Sequence, residues 1–308
     1  MDMSGPRLIL KFDDSLSILR NVMKVKTGDD LTCVLSDAFG KNEINITAIF
    51  EIMSMPVNGE IVTLNCLLSK IASMKTPAIK PTIFPLSGNS LSKIIGTLTA
   101  NAFTTSISVS TLLNSYHLLP GERPSMLLRQ MAIEHGAAAY VSRDKLFFTL
   151  LSELNKTAPD ATKTFHYKNP REPYQIVDYA HINRDELVSD RLTRKYTGFS
   201  LGNGFIPSTT VPAKKDVDAP SEMTAYYDIA IIDNLPFMAI PILDIVTIGA
   251  GHLTPGIAIK MQWNTDFSYN DSSVDESLPT QAIVGAVSHY TNGASNYYCR
   301  VKLIKVAE

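Results

Sequence analysis

Over its first 85 residues the chain alternates apolar and polar side chains in short spans. The runs RLILKF, INITAIFEIMSM and GEIVTLNCLLSKI are rich in Ile, Val, Thr and Phe. These residues suit a pleated, half-buried surface, and the runs predict strands. Pro56 and Gly59 punctuate them. At 89–103 the period changes. Leu91, Ile94, Ile95 and Leu98 fall at i, i+3, i+4 and i+7, one face of a helix, and Ser90 is placed to cap its first turn. TTSISVSTLL then returns to strand-like alternation.

The stretch GERPSMLLRQMAIEHGAAAYVSRDKLFF, 121–148, predicts a short helix followed by a hairpin. Pro124 suits a first helical turn, whose N–H has no intrahelical partner. Leu127, Leu128, Met131, Ala132 and His135 trace one face, and Gly136 suits a left-handed helix end. The turn between the two strands falls at 142–145. From 154 to 219 the chain is polar and loop-like, with strands expected at QIVDYAHI and RLTRKYTGFSL.

The most apolar region, 226–253, is broken by Asp233, Pro236, Pro241 and Asp244. A spanning helix needs about 20 nearly uninterrupted apolar residues, so this region predicts buried strands and a soluble protein. The segment QAIVGAVSHYTNGASNYYCRVKLIKV predicts a hairpin turning at Asn292-Gly293, the strongest short hairpin dipeptide. In its second arm Tyr297, Cys299, Val301 and Leu303 alternate with Tyr298, Arg300 and Lys302, as a half-buried strand does. The expected fold class is α+β, mostly β, with divisions at 1–85, 86–153 and 154–308.

At 308 residues, 45% apolar and 19% charged, the chain can bury more than one core. Its formal net charge is −2, with 28 basic and 30 acidic side chains, so the basic surplus of a generic nucleic-acid binder is missing. Cys33, Cys66 and Cys299 are far apart and form no C-x-x-C, which points to small buried thiols in a reducing compartment. MDMSGPRLILKFDDS has acids where a secretory leader has bases.

Candidate chemistry is sparse. Glu134 and His135 are adjacent, so they leave a helix on different faces and do not share a metal. Gly198-x-Ser200-x-Gly202 matches a nucleophile elbow by letter, but Asn203, Gly204 and Pro207 leave no room for the helix an elbow requires. Gly202-x-Gly204 lacks the third glycine of a dinucleotide site. The pairs Asp13-Asp14 and Asp29-Asp30 read as solvated turns. The six histidines show no metal-ligand spacing, Trp263 reads as a core anchor, and Arg191, Arg194 and Lys195 read as a solvated face. No catalytic, cofactor or metal site is expected.

The 121–148 stretch resembles the middle segment of bacteriophage tail baseplate hub proteins, the late-control-D-like group. In that family a helix of the form P-x-x-x-L-R-x-[LM]-A-x-x-x-G leads into a hairpin with a K-L-x-F second strand. Pro124, Leu128, Arg129, Met131, Ala132, Gly136, Tyr140, Lys145, Leu146 and Phe148 match as they stand. The terminal segment is similar to the family's closing hairpin at Val287, His289, Asn292, Gly293, Tyr297 and Leu303.

The resemblance implies two tail-tube-like β-barrel domains around a small helix-plus-hairpin part. It implies a homotrimeric ring in the virion's tail baseplate, assembled from chains made in the host cytoplasm. That ring would join the tail tube protein to a central spike protein, contact other baseplate proteins and let genomic DNA pass unbound. Subunits would complete one another through strand edges. Larger relatives carry a fused spike or wall-degrading domain, and this chain stops at Glu308, so these are expected as separate proteins. The alternatives are a tail-associated cell-wall hydrolase and a receptor-binding module.

Overall fold

The computed structural model describes residues 5–36, 43–109, 111–182, 195–209, 221–265, 274–291 and 297–306. The chain is α+β and mostly β, with one open half-barrel and one closed barrel. It divides into two compact units. The first comprises Met1–Leu35, Asn45–Ala132 and Ala139–Phe148; the second comprises Ser36–Ile44, Ile133–Ala138 and Thr149–Glu308.

The half-barrel of the first unit is built from β1 (Arg7–Asp13), β2 (Asp30–Ser36), β3 (Asn45–Ser54), β4 (Val57–Asn58) and β5 (Ile61–Leu68), in the order β1-β5-β3-β2, with β4 also on β5. β1 runs antiparallel to β5, so Leu8, Leu10 and Phe12 stand opposite Cys66, Leu64 and Val62 on one face. Strand alternation puts these residues together, and the β5 members are buried with Phe50 and Ile52 of β3. The alternation stops at the end of β5, where α1 (Ser69–Lys75) follows at once. The sequence reading carried this run through as a strand. Ile71, Ala72 and Met74 are all buried, a helical grouping that a period of two does not produce.

The chain between β1 and β2 contains a π-helical turn, Ile18–Val22, flanked by Ser17 and Lys24, both at φ +54. Asp14 is only 3% exposed. It accepts from the Leu19 N–H at 2.9 Å and from Arg20 Nε at 3.0 Å. The solvated turn expected for Asp13-Asp14 therefore holds only for Asp13. Burial without partners costs a carboxylate dearly, and the turn supplies them.

β6 (Thr82–Phe84), α2 (Leu91–Leu98), β7 (Thr104–Ile107), β8 (Tyr116–Leu118), α3 (Pro124–Glu134), β9 (Ala137–Ser142) and β10 (Lys145–Leu150) follow. Ser90 caps α2 as expected, its Oγ accepting from the Lys93 N–H at 3.3 Å. β9 and β10 are joined at Arg143–Asp144 and extend to β7 in a three-stranded sheet. β6 pairs with β8.

In the second unit α4 (Leu151–Leu154) precedes β11 (Thr164–Tyr167), β12 (Gln175–His181), β13 (Lys195–Ser200), β14 (Gly204–Pro207) and β15 (Ser221–Met223). After them come α5 (Ile229–Asn234), β16 (Ala239–Ile248), β17 (Ala258–Trp263), β18 (Gln281–Thr291) and β19 (Tyr297–Val306). The barrel order is β11-β12-β16-β19-β18-β17, closed by β17 on β11. Closure leaves no edge strand. Its interior holds Phe165, Leu243, Ile245, Val284, Val301, Leu303 and Trp263, whose Nε1–H donates to the Pro279 carbonyl at 2.8 Å.

The 226–253 region is not all strand. Its first part is α5, capped by Asp228, whose carboxylate accepts from the Ala230 N–H at 2.9 Å. Only its second part is a buried strand, β16. No described helix is long and apolar enough to cross a membrane.

Candidate functional site

Pro124 opens α3, and Leu128 and Met131 on its apolar face are fully buried, as are Leu146 and Phe148 of β10. Arg129 is half-buried. Tyr140 stacks on Phe147, ring centroids 5.0 Å apart and planes 5° from parallel. These matched residues form interior packing rather than a cleft. Gly136 ends the helix at φ +58, with Asn234 against it at 3.0 Å from where a Cβ would lie. Glu134 is fully buried; its Oε1 accepts from Tyr226 OH at 2.7 Å, and its carbonyl accepts from Asn234 Nδ2 at 3.0 Å. His135 is buried beside it. Glu134 fastens the helix end within the second unit.

The β18–β19 pairing places Thr291 opposite Tyr297; Asn292 and Gly293 lie outside the described residues. His289 Nδ1 lies 2.7 Å from Tyr297 OH and 3.2 Å from Cys299 Sγ, and Nε2 lies 3.2 Å from the Leu253 carbonyl. A thiol beside an imidazole suggests a nucleophile, but Cys299 is fully buried, and burial pushes its thiol up despite the N–H of Ala250 aimed at the sulfur. A thiol held protonated in a dry wall is a packing group. Cys66 is buried too, whereas Cys33 is half-buried, more open than the sequence suggests.

Ser200 of the G-x-S-x-G string ends β13, which turns straight into β14. This is a hairpin, not a strand–helix elbow. Gly198 sits inside the strand because a Cβ there would strike the Tyr226 carbonyl and Ile232. On the opposite face Phe199 and Phe205 meet edge to face at 5.4 Å and remain exposed. Of the basic triplet, Lys195 opens β13, while Arg191 and Arg194 lie outside the described residues.

A second polar group in the second unit was not read from the sequence. Glu43 accepts from the backbone N–H of His252 at 3.1 Å and from Tyr174 OH at 3.0 Å; His252 Nδ1 lies 2.9 Å from the same carboxylate and Lys163 Nζ 3.8 Å. Phe165 and Tyr174 flank the imidazole, at 5.9 and 5.2 Å. Burial works to raise the Glu43 pKa, but the donors from His252 and Tyr174 outweigh it and hold the carboxyl below its usual range. Burial and that carboxylate push the Tyr174 phenol up to about 12. The group is a clamp without an activated nucleophile. Among the described residues no three side chains are arranged to hold a metal.

What the first unit does present is edges. β1 pairs only with β5, and β2 only with β3, so the half-barrel ends in two strands with one open side each among the described residues. Ile9 on β1 and Val34 on β2 are exposed beside them. Bare strand edges are sites for strand addition unless something covers them.

Neither a protein-family model nor a curated protein sequence matches the chain. Solved structures that share its fold include two tail proteins. The 43 kDa tail protein of prophage MuSo2 from Shewanella oneidensis aligns at TM-score 0.60 and 9% identity, over 96% of this chain and 88% of that one. The tail protein from Neisseria meningitidis MC58 aligns at TM-score 0.55 and 11% identity, over 97% and 91%.

Proposed function

We propose that the chain is a structural protein of a bacteriophage tail, the hub of its baseplate. Three copies form a ring that joins the tail tube to a central spike and leaves a passage for DNA. It works in the assembled virion with the tube, spike and other baseplate proteins, and it catalyses nothing. Its parts are a first tube-like domain at 1–85, a helix-plus-hairpin part at 86–153 and a second tube-like domain at 154–308. The helix–hairpin residues Pro124, Leu128, Arg129, Met131, Gly136, Tyr140, Leu146 and Phe148 serve as scaffold, as do His289, Asn292, Gly293 and Tyr297 of the closing hairpin.

The observation that carries this reading is the open half-barrel. Among the described residues both of its outer strands lack a second partner, and the chain around it folds like two phage tail proteins along nearly its whole length. Two unlike edges, β1 and β2, favour head-to-tail association, which closes into a ring when the rotation allows. The test is the native mass by light scattering, alone and with the spike protein of the same genome. Three copies, alone or on the spike, are expected. A chain that stays monomeric in both conditions rejects the hub.

A further inference from the structure

We propose that the tip of the β13–β14 hairpin is a membrane-contacting element, which enters the headgroup region of an anionic lipid bilayer. This role adds to the structural one and holds for any number of copies in a ring. From Tyr196 to Ala213 the chain contains no Asp, Glu, Lys or Arg, although these types make up 19% of it. The nearest charges on both sides are basic. Arg191, Arg194 and Lys195 precede the run, Lys214 and Lys215 follow it, and acids begin only beyond them, at Asp190 and Asp216.

The described residues of this run turn their apolar side chains outward. Register sets Phe199 opposite Phe205, and Thr197 opposite Pro207 on one side and Met223 on the other, so all five share one face of the sheet. The other face is taken, because Gly198 lies against Tyr226 and Ile232. Glu222 pairs with Tyr196 and so stands on that packed face, while Lys195 opens β13 on the outer one. Phe205 is 70% exposed, and Leu201, in the turn, is 99% exposed. Gly202 and Asn203 beside it are exposed too. The two hydroxyls of the outer face, Thr197 and Ser221, already bond each other at 2.7 Å. An apolar face left bare in this way marks a site of contact.

The tip is held firmly. Ser200 Oγ accepts from the Asn203 N–H at 3.1 Å and closes the turn. At the base, Ser208 N–H donates to the Tyr196 carbonyl at 2.7 Å, and the Asp233 carboxylate of α5 accepts from Ser208 Oγ at 2.9 Å and from the Thr209 N–H at 2.6 Å. A protein partner would ask for about one hydrogen bond per 100–200 Å² of interface, and the outer face is poor in groups to supply them. A bare leucine at a turn enters a fluid apolar phase without needing a matching pocket. Depth is limited by β14, which pairs only with β13 among the described residues, since an open strand edge does not enter hydrocarbon. Leu201, Phe199 and Phe205 therefore reach about 5–10 Å into the interface, and the basic residues bracketing the run favour anionic headgroups.

The experiment mixes the full-length chain with vesicles of phosphatidylethanolamine and phosphatidylglycerol, or of phosphatidylcholine alone, and reads bound protein by flotation. The parent should float with the anionic vesicles and bind the neutral ones about tenfold more weakly. The double variant Leu201→Ser, Phe205→Ser removes apolar surface without adding charge, and circular dichroism checks its fold. It should bind the anionic vesicles at least about tenfold more weakly than the parent. Val177→Ser, at an exposed site in the same unit, should behave as the parent. Phe205→Trp places a reporter in a chain whose single tryptophan, Trp263, is buried, and its emission should shift to the blue on anionic vesicles. A parent that does not float, a double variant that floats equally well, or an unshifted emission overturns the assignment. Equal binding to both vesicle types overturns the anionic preference. A double variant that floats as the parent does but no longer self-associates gives the face to a second copy instead. Failure of the ring leaves all of these readouts in place.

Discussion

The carboxylate of Glu43 and the imidazole of His252, 209 positions apart in the chain, meet at 2.9 Å. The contact fastens the residues just before β3 to the turn after β16, inside the second unit. Its energy depends on Glu43 being ionised, since each of its donors prefers a charged acceptor.

Glu43→Gln should cost about 1.5–3 kcal/mol at pH 7, the range for hydrogen bonds to a charged group. The folded carboxyl titrates below its ordinary value of 4.5. Its contribution is thus fully present above that value and lost as pH falls through the lower, folded one. Chemical denaturation at pH 7 and in steps below pH 4.5 checks this. The gap between parent and variant should narrow progressively as the pH falls below 4.5, and a gap that stays constant throughout would contradict the clamp.

Leu128→Ala should destabilise the first unit by about 3 kcal/mol, the usual cost of a cavity at a fully buried leucine. Leu128→Asp should abolish folding, because no partner is at hand for a carboxylate there. Thermal unfolding followed by circular dichroism reads both, and a melting point within a degree of the parent's would refute the buried placement.

Gly198→Ala should cost about 2 kcal/mol or more through overpacking, since the new methyl group meets the Tyr226 carbonyl. Gly202→Ala, where a Cβ meets nothing, should be neutral within about 0.5 kcal/mol. Equal stabilities for the two variants would show that β13 does not pack as described.

Thiol labelling should follow exposure. Cys33 should react with iodoacetamide in the native chain, while Cys66 and Cys299 should react only after unfolding. Peptide mass spectrometry reads the order, and rapid native labelling of Cys299 would show that the barrel wall opens.

Local patterns carried much of this fold into the sequence. β3 and β5 alternate because one face of each is buried, the inner face of β1 is half-buried at Leu8 and Leu10, and β19 shows the same alternation from Cys299 to Lys302. Ser90 and Gly136 announce the helix ends they occupy. α1 and α5 were harder to see. Both are about two turns long, lie beside apolar strands and take their stability from packing, so composition alone does not separate them from their neighbours. The Glu43 clamp left no sequence signal, because its members come from distant segments that only barrel closure assembles. The burial of Asp14 was hidden for a related reason. Two adjacent aspartates look alike in sequence, and only the backbone turn decides which one receives the donors.

The position of β19 has a consequence for synthesis. It follows every other barrel strand in the chain, yet it lies between β16 and β18 in the wall. Until Tyr297–Val306 has left the ribosome, those two strands have bare facing edges and Leu243, Ile245 and Val284 lack their cover. The half-barrel needs nothing beyond Leu68 for its own strands and can form while translation continues. The second unit folds as one late event, and a ribosome that stalls before Tyr297 holds a chain with an unfinished and sticky wall.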